Sequence, residues 1–512
     1  MLKKVIYYVG LLFLAIVVIL NLVFTASFDV GEHITIKFNS FLYIIWLIFL
    51  AVFVFWITKL IDKHLFNDAT KNKKELRICL FVAALVIYLV FSILWIIFVV
   101  PPIVGDQIHA CNLAQTFYRG NLEEFLPNMT YAGIPLRDYM QAYHQQISLA
   151  FVFSVLFGIL HFDQFIILRV FNIICNVLIV LALFKICQQL SKKYKTNKVL
   201  LLTLILTFIS LPMLATFIYG DIPSLALCLF AVYFMMKYTE TKNIKYPIFA
   251  SFLTMWAYML RMNSLIFIIA TVIYLVLSLF ANIKSSTWKK NLLSVGIIIM
   301  YIAISILPSS FVKNYYLNKY DMDKRKAYPN ISYFFMAMEE GPRANGWYSE
   351  EIGEAALKDP KGKKVEYIEK IKERLSYFSH NIGYTIDFYI MKIASMWTEN
   401  TYSAVYNNNR FDNDPIEAMA KPLAFYQKAL LIVICLCSLI VLIQNRKNIS
   451  LDVIFLLTIF IGGFAFHILW EAKSRYIIPY IVALIPVASI CIDNIHFKKK
   501  FSKILSHLKF KK

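Results

Sequence analysis

Residues Ile78–Val100 read ICLFVAALVIYLVFSILWIIFVV, a run without charge that is about long enough to cross the hydrocarbon of a bilayer. The next stretch, Pro101–Asn121 (PPIVGDQIHACNLAQTFYRGN), decides how that crossing ends. Two prolines stop the helix, Gly105 lets the chain turn, and Asp106 is presented where the span meets water. A helix that starts there carries Asp106, His109, Asn112 or Leu113, and Thr116 on roughly one face. A carboxylate so placed can serve as a general base. An aspartate at a helix start can equally be an N-cap, accepting backbone N–H bonds without any chemistry. The residues leave both readings open.

The apolar signature extends over the whole chain. Of 512 residues 60% are apolar and 16% charged, with a mean hydropathy of +0.64. Soluble domains have about 45–50% apolar and 25% charged residues, so a water-soluble globular protein is excluded and an all-α polytopic membrane protein is expected. Lys and Arg number 52 against 31 Asp and Glu, a net charge of +21. In a membrane protein this excess belongs to cytoplasmic loops and to a basic tail, Phe497–Lys512, lying against anionic lipid, and no nucleic-acid partner is expected. Six of the eight cysteines (Cys79, Cys175, Cys187, Cys228, Cys435, Cys437) fall inside apolar runs and no CxxC occurs, which argues against a disulfide framework or a zinc site. Lys3 and Lys4 before an apolar run imitate a signal peptide, but no small-residue cleavage site follows, so the run reads as an uncleaved first span. Walker, GxGxxG, HExxH and GxSxG patterns are all missing, which removes the usual warrants for nucleotide binding, zinc proteolysis and serine hydrolysis.

Twelve spans are expected, at about 5–25, 41–60, 77–100, 165–189, 198–218, 222–238, 246–260, 264–282, 291–312, 423–443, 451–470 and 476–492. The run Ile147–Leu160 would be a thirteenth. Lysines crowd both termini and the loops Lys59–Arg77, Ser191–Lys198, Lys237–Lys245, Lys284–Lys290 and Arg446–Lys447, and these share one side only if that run does not cross. It is therefore read as a helix lying at the outer interface, with both termini cytoplasmic. Two large segments then face outward, Pro101 to about Gln164 and Lys313 to about Pro422. The second is expected to be a small cap, with helices at Lys361–Tyr377 and Ile382–Trp397. The resulting organisation is 1–76 (two spans and a basic loop), 77–312 (a seven-span module with the outer loop 101–164), 313–422 (the extracytoplasmic segment) and 423–512 (three spans and the tail).

The span interiors hold almost no ionisable groups, whereas Asp106, Arg169, Asp221, Arg261, Glu471 and Arg475 all lie at or near the outer ends of different spans. Each alone could be an ordinary span-end charge. Together they suggest a site on the outer face, unlike the midplane site of a transporter.

At this point several segments resemble the GT-C superfamily of membrane glycosyltransferases. They are the aspartate of the first outer loop, Ala114–Gly120 with its A-x-x-x-x-x-G pattern, Tyr143–Ile159 (YHQQISLAFVFSVLFGI) and Phe165–Asn172 (FIILRVFN). Later segments agree: Tyr219–Phe234 (YGDIPSLALCLFAVYF), Met259–Ala270, Phe334–Ser349 (FFMAMEEGPRANGWYS) and Glu471–Ile481 (EAKSRYIIPYI). The resemblance covers about residues 77 to 490 and is nearest to the branch of protein O-mannosyltransferases and lipid A aminoarabinose transferases, in a Gram-positive subgroup. Each motif is weak alone; their order is what is specific. In that fold a seven-span module carries the catalytic loop directly after its first span, and the spans from 77–100 to 291–312 number seven here. Two spans precede the module, an extension the simplest members lack.

The resemblance implies an inverting transfer of a sugar from a polyprenyl-phosphate donor to an extracytoplasmic acceptor, a cell-wall polymer, surface glycan or protein, with no cofactor. A base must take the acceptor proton and cations must hold the departing phosphate. Asp106 is the expected base, Arg261 and Arg475 the phosphate contacts, and Asp221 and Glu471 acceptor or sugar contacts; Arg119 and Arg169 are lesser candidates. Gln107 stands where the family often shows a second acidic residue, which weakens any metal proposal. Tyr139, Tyr143 and His144 could shape an acceptor groove or form an interfacial aromatic belt. Trp397–Tyr402 (WTENTY) could close the pocket through Glu399 or be a solvated loop. Asn128-Met129-Thr130 and Asn330-Ile331-Ser332 match the N-glycosylation pattern by chance if the source is bacterial, as the subgroup resemblance suggests. The rival readings are a lipid-linked sugar flippase and a noncatalytic partner in wall synthesis.

Overall fold

A computed structural model describes residues 1–29, 32–66, 72–120, 130–131, 134–283, 287–409 and 414–490; the basic tail and Asn128 lie outside this set. Almost everything described is helix. The strands form two antiparallel hairpins, Phe24–Phe28 with Ile34–Phe38 and Thr130–Tyr131 with Ile134–Pro135. Among the described residues ten helices are long and apolar enough to cross a membrane, and they coincide with ten of the twelve expected spans. The chain is a multi-pass membrane protein.

The other two expected spans are shorter helices. Lys245–Leu260 has 16 residues and stops where Arg261 turns into the short 3-10 segment Met262–Ser264. It packs along Asp221–Thr241 and Trp288–Lys319, with Ala250, Thr254 and Ala257 buried, while Phe249 and Phe252 are exposed on its outer side. Ile478–Ala488 has 11 residues, and ten of them are buried against Ala420–Gln444, Leu451–Leu469 and Ile166–Leu190. Enclosed by other helices, Ile478–Ala488 meets little lipid, so the length rule that applies to lipid-facing spans binds it less. The run 147–160 belongs to the 17-residue helix His144–Leu160, which meets Leu136–Ala142 at a bend of 115° and lies against the helix Asp106–Arg119.

The chain's first helix, Leu2–Val23, packs against Ala420–Gln444 and Leu451–Leu469, so sequence-distant ends share one core. The helices Pro360–His380 and Ile382–Trp397 form where the sequence predicts them and close a smaller core with Tyr328, Phe335, Tyr367, Phe378 and Phe388. Their anchor is Lys392. Its buried ammonium donates to the carbonyls of Ala337 and Ile468, each at 2.8 Å, and of Trp470 at 3.0 Å. Three carbonyl acceptors compensate the burial of this charge and fasten the segment to the turn that follows Leu469.

Candidate active site

Gly105, with φ 62° and ψ −145°, is the N-cap of the helix Asp106–Arg119, a conformation open in practice to glycine alone. Asp106 therefore stands one position inside the helix, and the N-cap reading of its side chain is corrected. Its two oxygens accept hydrogen bonds from Tyr139 Oη and Tyr219 Oη, each at 2.9 Å. Burial and the Asp106 charge push both phenols well above their usual range, so they remain donors. The His109 ring stacks on Tyr139 at 4.0 Å, and Gln146 hydrogen-bonds Tyr219. Gln107 accepts from the Ile218 backbone N–H at 2.7 Å and so ties the helix to the chain that delivers Tyr219. Asp106 itself remains exposed and open to a substrate.

Tyr219 also faces the second half of the site. The Arg261 guanidinium lies 4.6 Å above its ring, and Arg475 lies 3.9 Å above that of Phe217. Both arginines converge on Asp221 Oδ1, with Nε at 3.2 Å for Arg261 and 3.7 Å for Arg475. Asp221 Oδ2 and both Nε atoms are buried without a hydrogen-bond partner among the described residues. Two cations on one carboxylate leave one net positive charge with hydrogen-bonding capacity unused. A small recess adjoins them, lined by Asp221, Ser224, Arg261, Asn263 and Tyr476 among others.

Gly220 allows this meeting. Its φ is +79°, and a Cβ there would lie 2.5 Å from the Leu260 carbonyl oxygen, next to Arg261. Gly220→Ala is expected to cost about 1–3 kcal/mol of stability, or more because the obstacle is backbone, and to lower the thermal midpoint of the purified protein. An unchanged midpoint would show that the turn can relax.

Glu471 and Lys473 lie on a short extended segment whose middle residue, Ala472, bridges Trp347 and donates its N–H to the Gly346 carbonyl at 2.8 Å. Alternation in an extended chain sends 471 and 473 to the same side. Burial raises the Glu471 carboxyl, Lys473 opposes this, and the Asp106 charge raises it further. Burial and the neighbouring Arg475 lower Lys473 to about 7.

Other candidates are placed elsewhere. Arg169 donates to the Pro101 carbonyl at 2.8 Å, bracing the lead-in to Asp106. Arg119 pairs with Asp163 at 2.6 Å on the surface. Tyr143 stacks between Tyr139 and Tyr328, at 4.8 and 5.4 Å, beside the bend that His144 opens. Trp397–Tyr402 is buried, which removes the solvated-loop reading. Glu399 accepts from the Thr401 and Ser403 backbone N–H groups at 3.0 and 2.9 Å, and Ser403 Oγ meets Ser474 Oγ at 2.9 Å. Its role is to brace the loop against the 471–475 turn. Tyr219 and Lys473 were not singled out in the sequence; Tyr219 sits two residues before Asp221, and Lys473 lies between Glu471 and Arg475. Among the described residues no group of three or more His, Cys, Asp and Glu is placed to hold a metal ion.

A model of the dolichyl-phosphate-mannose-protein mannosyltransferase family matches residues 146–307. No curated protein matches the chain. Among solved structures, the archaeal oligosaccharyltransferase AglB from Archaeoglobus fulgidus, in complex with an inhibitory peptide and a dolichol-phosphate, is 14% identical with a TM-score of 0.41. That alignment covers 84% of this chain and 52% of that one, so the chain spans about half the length of that relative. The family match covers about a third of the chain and lies across the spans that carry Asp221 and Arg261.

Proposed function

We propose that the protein transfers one sugar, with inversion, from a polyprenyl-phosphate donor to an extracytoplasmic glycan or protein acceptor. The observation that carries this reading is Tyr219, which bonds Asp106 through its hydroxyl and meets Arg261 with its ring. A proton acceptor and an anion-binding pair thus share one support, as a single displacement requires. The acceptor O–H attacks the anomeric carbon, Asp106 takes its proton, and the bond from that carbon to the lipid phosphate breaks, its electron pair passing to the phosphate oxygen. The donor diester carries one negative charge, and the leaving monoester gains more. The excess positive charge of the Arg261–Asp221–Arg475 trio is suited to the charge that develops there. Tyr139 and Tyr219 keep the Asp106 carboxylate oriented for the incoming hydroxyl.

The family description names a dolichyl-phosphate sugar as donor, in keeping with a site at the membrane boundary and no nucleotide motif. The test is reconstitution of the full chain in liposomes with radiolabelled polyprenyl-phosphate hexoses and wall polymer, glycan or peptide acceptors on one side. Transfer without translocation is expected. Translocation of the donor without transfer would establish the flippase reading, and neither would leave a noncatalytic partner.

The same reading places both termini and the lysine-rich loops in the cytoplasm of a cell-membrane protein. A cysteine replacing the exposed Lys195 in the loop after Leu190 is expected to react with an impermeant thiol reagent only after the cells are permeabilised. Labelling of intact cells would invert the topology and make 144–160 a crossing helix.

A further inference from the structure

The hairpin between Leu2–Val23 and Phe41–Phe66 lies outside the seven-span module, yet it docks beside the site. Backbone bonds seat it: Ile34 N–H donates to the Arg343 carbonyl at 2.8 Å and Ala26 N–H to that of Thr398 at 3.3 Å. His33 Nδ1 donates to the Pro342 carbonyl at 2.6 Å. At the turn, Glu32 has φ 64°, a backbone that non-glycine residues adopt only when their surroundings enforce it. Its side chain is 7% exposed and lies between two cations, with Oε1 2.8 Å from Lys473 Nζ and Oε2 bonded to Arg343.

Without that carboxylate the ion pair tying Lys473 to the hairpin is lost, and Lys473, buried beside Arg343, would shed its proton, so the extended segment that carries it loses this tether. The same segment bears Glu471 on one side and leads directly into Arg475 on the other. We propose that Glu32 is a positioning residue of the transfer reaction, holding through Lys473 the turn that aims Arg475 and Glu471 at the donor. This rests on the donor-phosphate role given above to Arg475. It makes the N-terminal pair of helices part of the working enzyme.

The test is steady-state turnover of the full-length enzyme in liposomes against a concentration series of polyprenyl-phosphate sugar. Glu32→Gln is expected to raise the donor KM roughly tenfold, as loss of one charge-assisted contact would. Glu32→Asp keeps the charge but falls short by one methylene, and about a threefold rise is expected, between wild type and Glu32→Gln. A merely structural role would lower kcat in proportion to the folded fraction and leave KM alone. Glu350→Gln removes the exposed partner of Arg343 and is expected to leave KM unchanged. If Glu32→Gln does not accumulate folded, Glu32→Asp carries the test. A wild-type donor KM in the folded variants would overturn the proposal while wild-type turnover upholds the functional reading. A wild-type protein that never consumes the donor would overturn that reading itself, and the proposal with it.

Discussion

Asp106→Asn is expected to lower sugar transfer by about 10²–10⁴-fold, the usual loss when a general base is removed. The amide occupies nearly the same volume, but it can accept from only one of the two phenols; its NH₂ faces the other. Both phenols are buried, but the second phenol oxygen can accept from the amide NH₂, so the net cost is about 1 kcal/mol, too little to unfold the protein. Chemistry and stability therefore separate: thermal midpoint and donor binding should stay near wild type while turnover collapses. Asp221→Asn and Glu471→Gln belong in the same series. If Glu471→Gln abolishes turnover and Asp106→Asn does not, the base is the buried carboxylate, whose proton affinity is already raised by its surroundings. Near-normal turnover in all three would remove carboxylate base catalysis altogether.

The second large effect is at Arg261. Arg261→Ala is expected to raise the donor requirement ten- to a hundredfold, from a lost phosphate contact of about 1.5–3 kcal/mol. Arg261→Lys keeps the charge without the planar fork and should fall between. Arg475→Ala should behave alike, because both guanidiniums approach the same Asp221 oxygen. In each alanine variant the remaining arginine still neutralises Asp221, so that carboxylate is not left as an uncompensated charge. What disappears is the surplus positive charge. Donor titrations check this, and an unchanged donor dependence in both alanine variants would reduce the arginines to braces for the Tyr219–Asp221 turn.

The membrane architecture was legible because charge is expensive in hydrocarbon, so apolar runs and lysine-rich loops mark helices plainly. The same scarcity picked out Asp221, Arg261 and Arg475, which the fold brings to one point from three separate helix ends. Arg169 shows the limit of that reasoning. It occupies a span end as they do, but its guanidinium turns toward a backbone carbonyl freed by the Pro101-Pro102 break. Tyrosines were harder still. Among 31 of them, only tertiary structure distinguishes Tyr139 and Tyr219, whose hydroxyls meet one carboxylate from residues 33 and 113 positions away. A polar sequence such as WTENTYS fits a surface loop as readily as a buried turn, so the sequence alone leaves Glu399 open between the two. The left-handed backbones of Tyr402 and Ser403 instead wrap its carboxylate in buried amides.

The contact between Glu32 and Lys473 also sets a clock for biogenesis. A ribosome adds about 5–20 residues per second, so the hairpin is made roughly 20–90 s before its partner emerges. Late in that interval the nascent chain holds Asp106, Asp221 and Arg261 but lacks the turn at 471–475. On the proposed reading, synthesis itself withholds the full constellation until residue 473 is made, and a chain truncated before that residue is expected to be inactive.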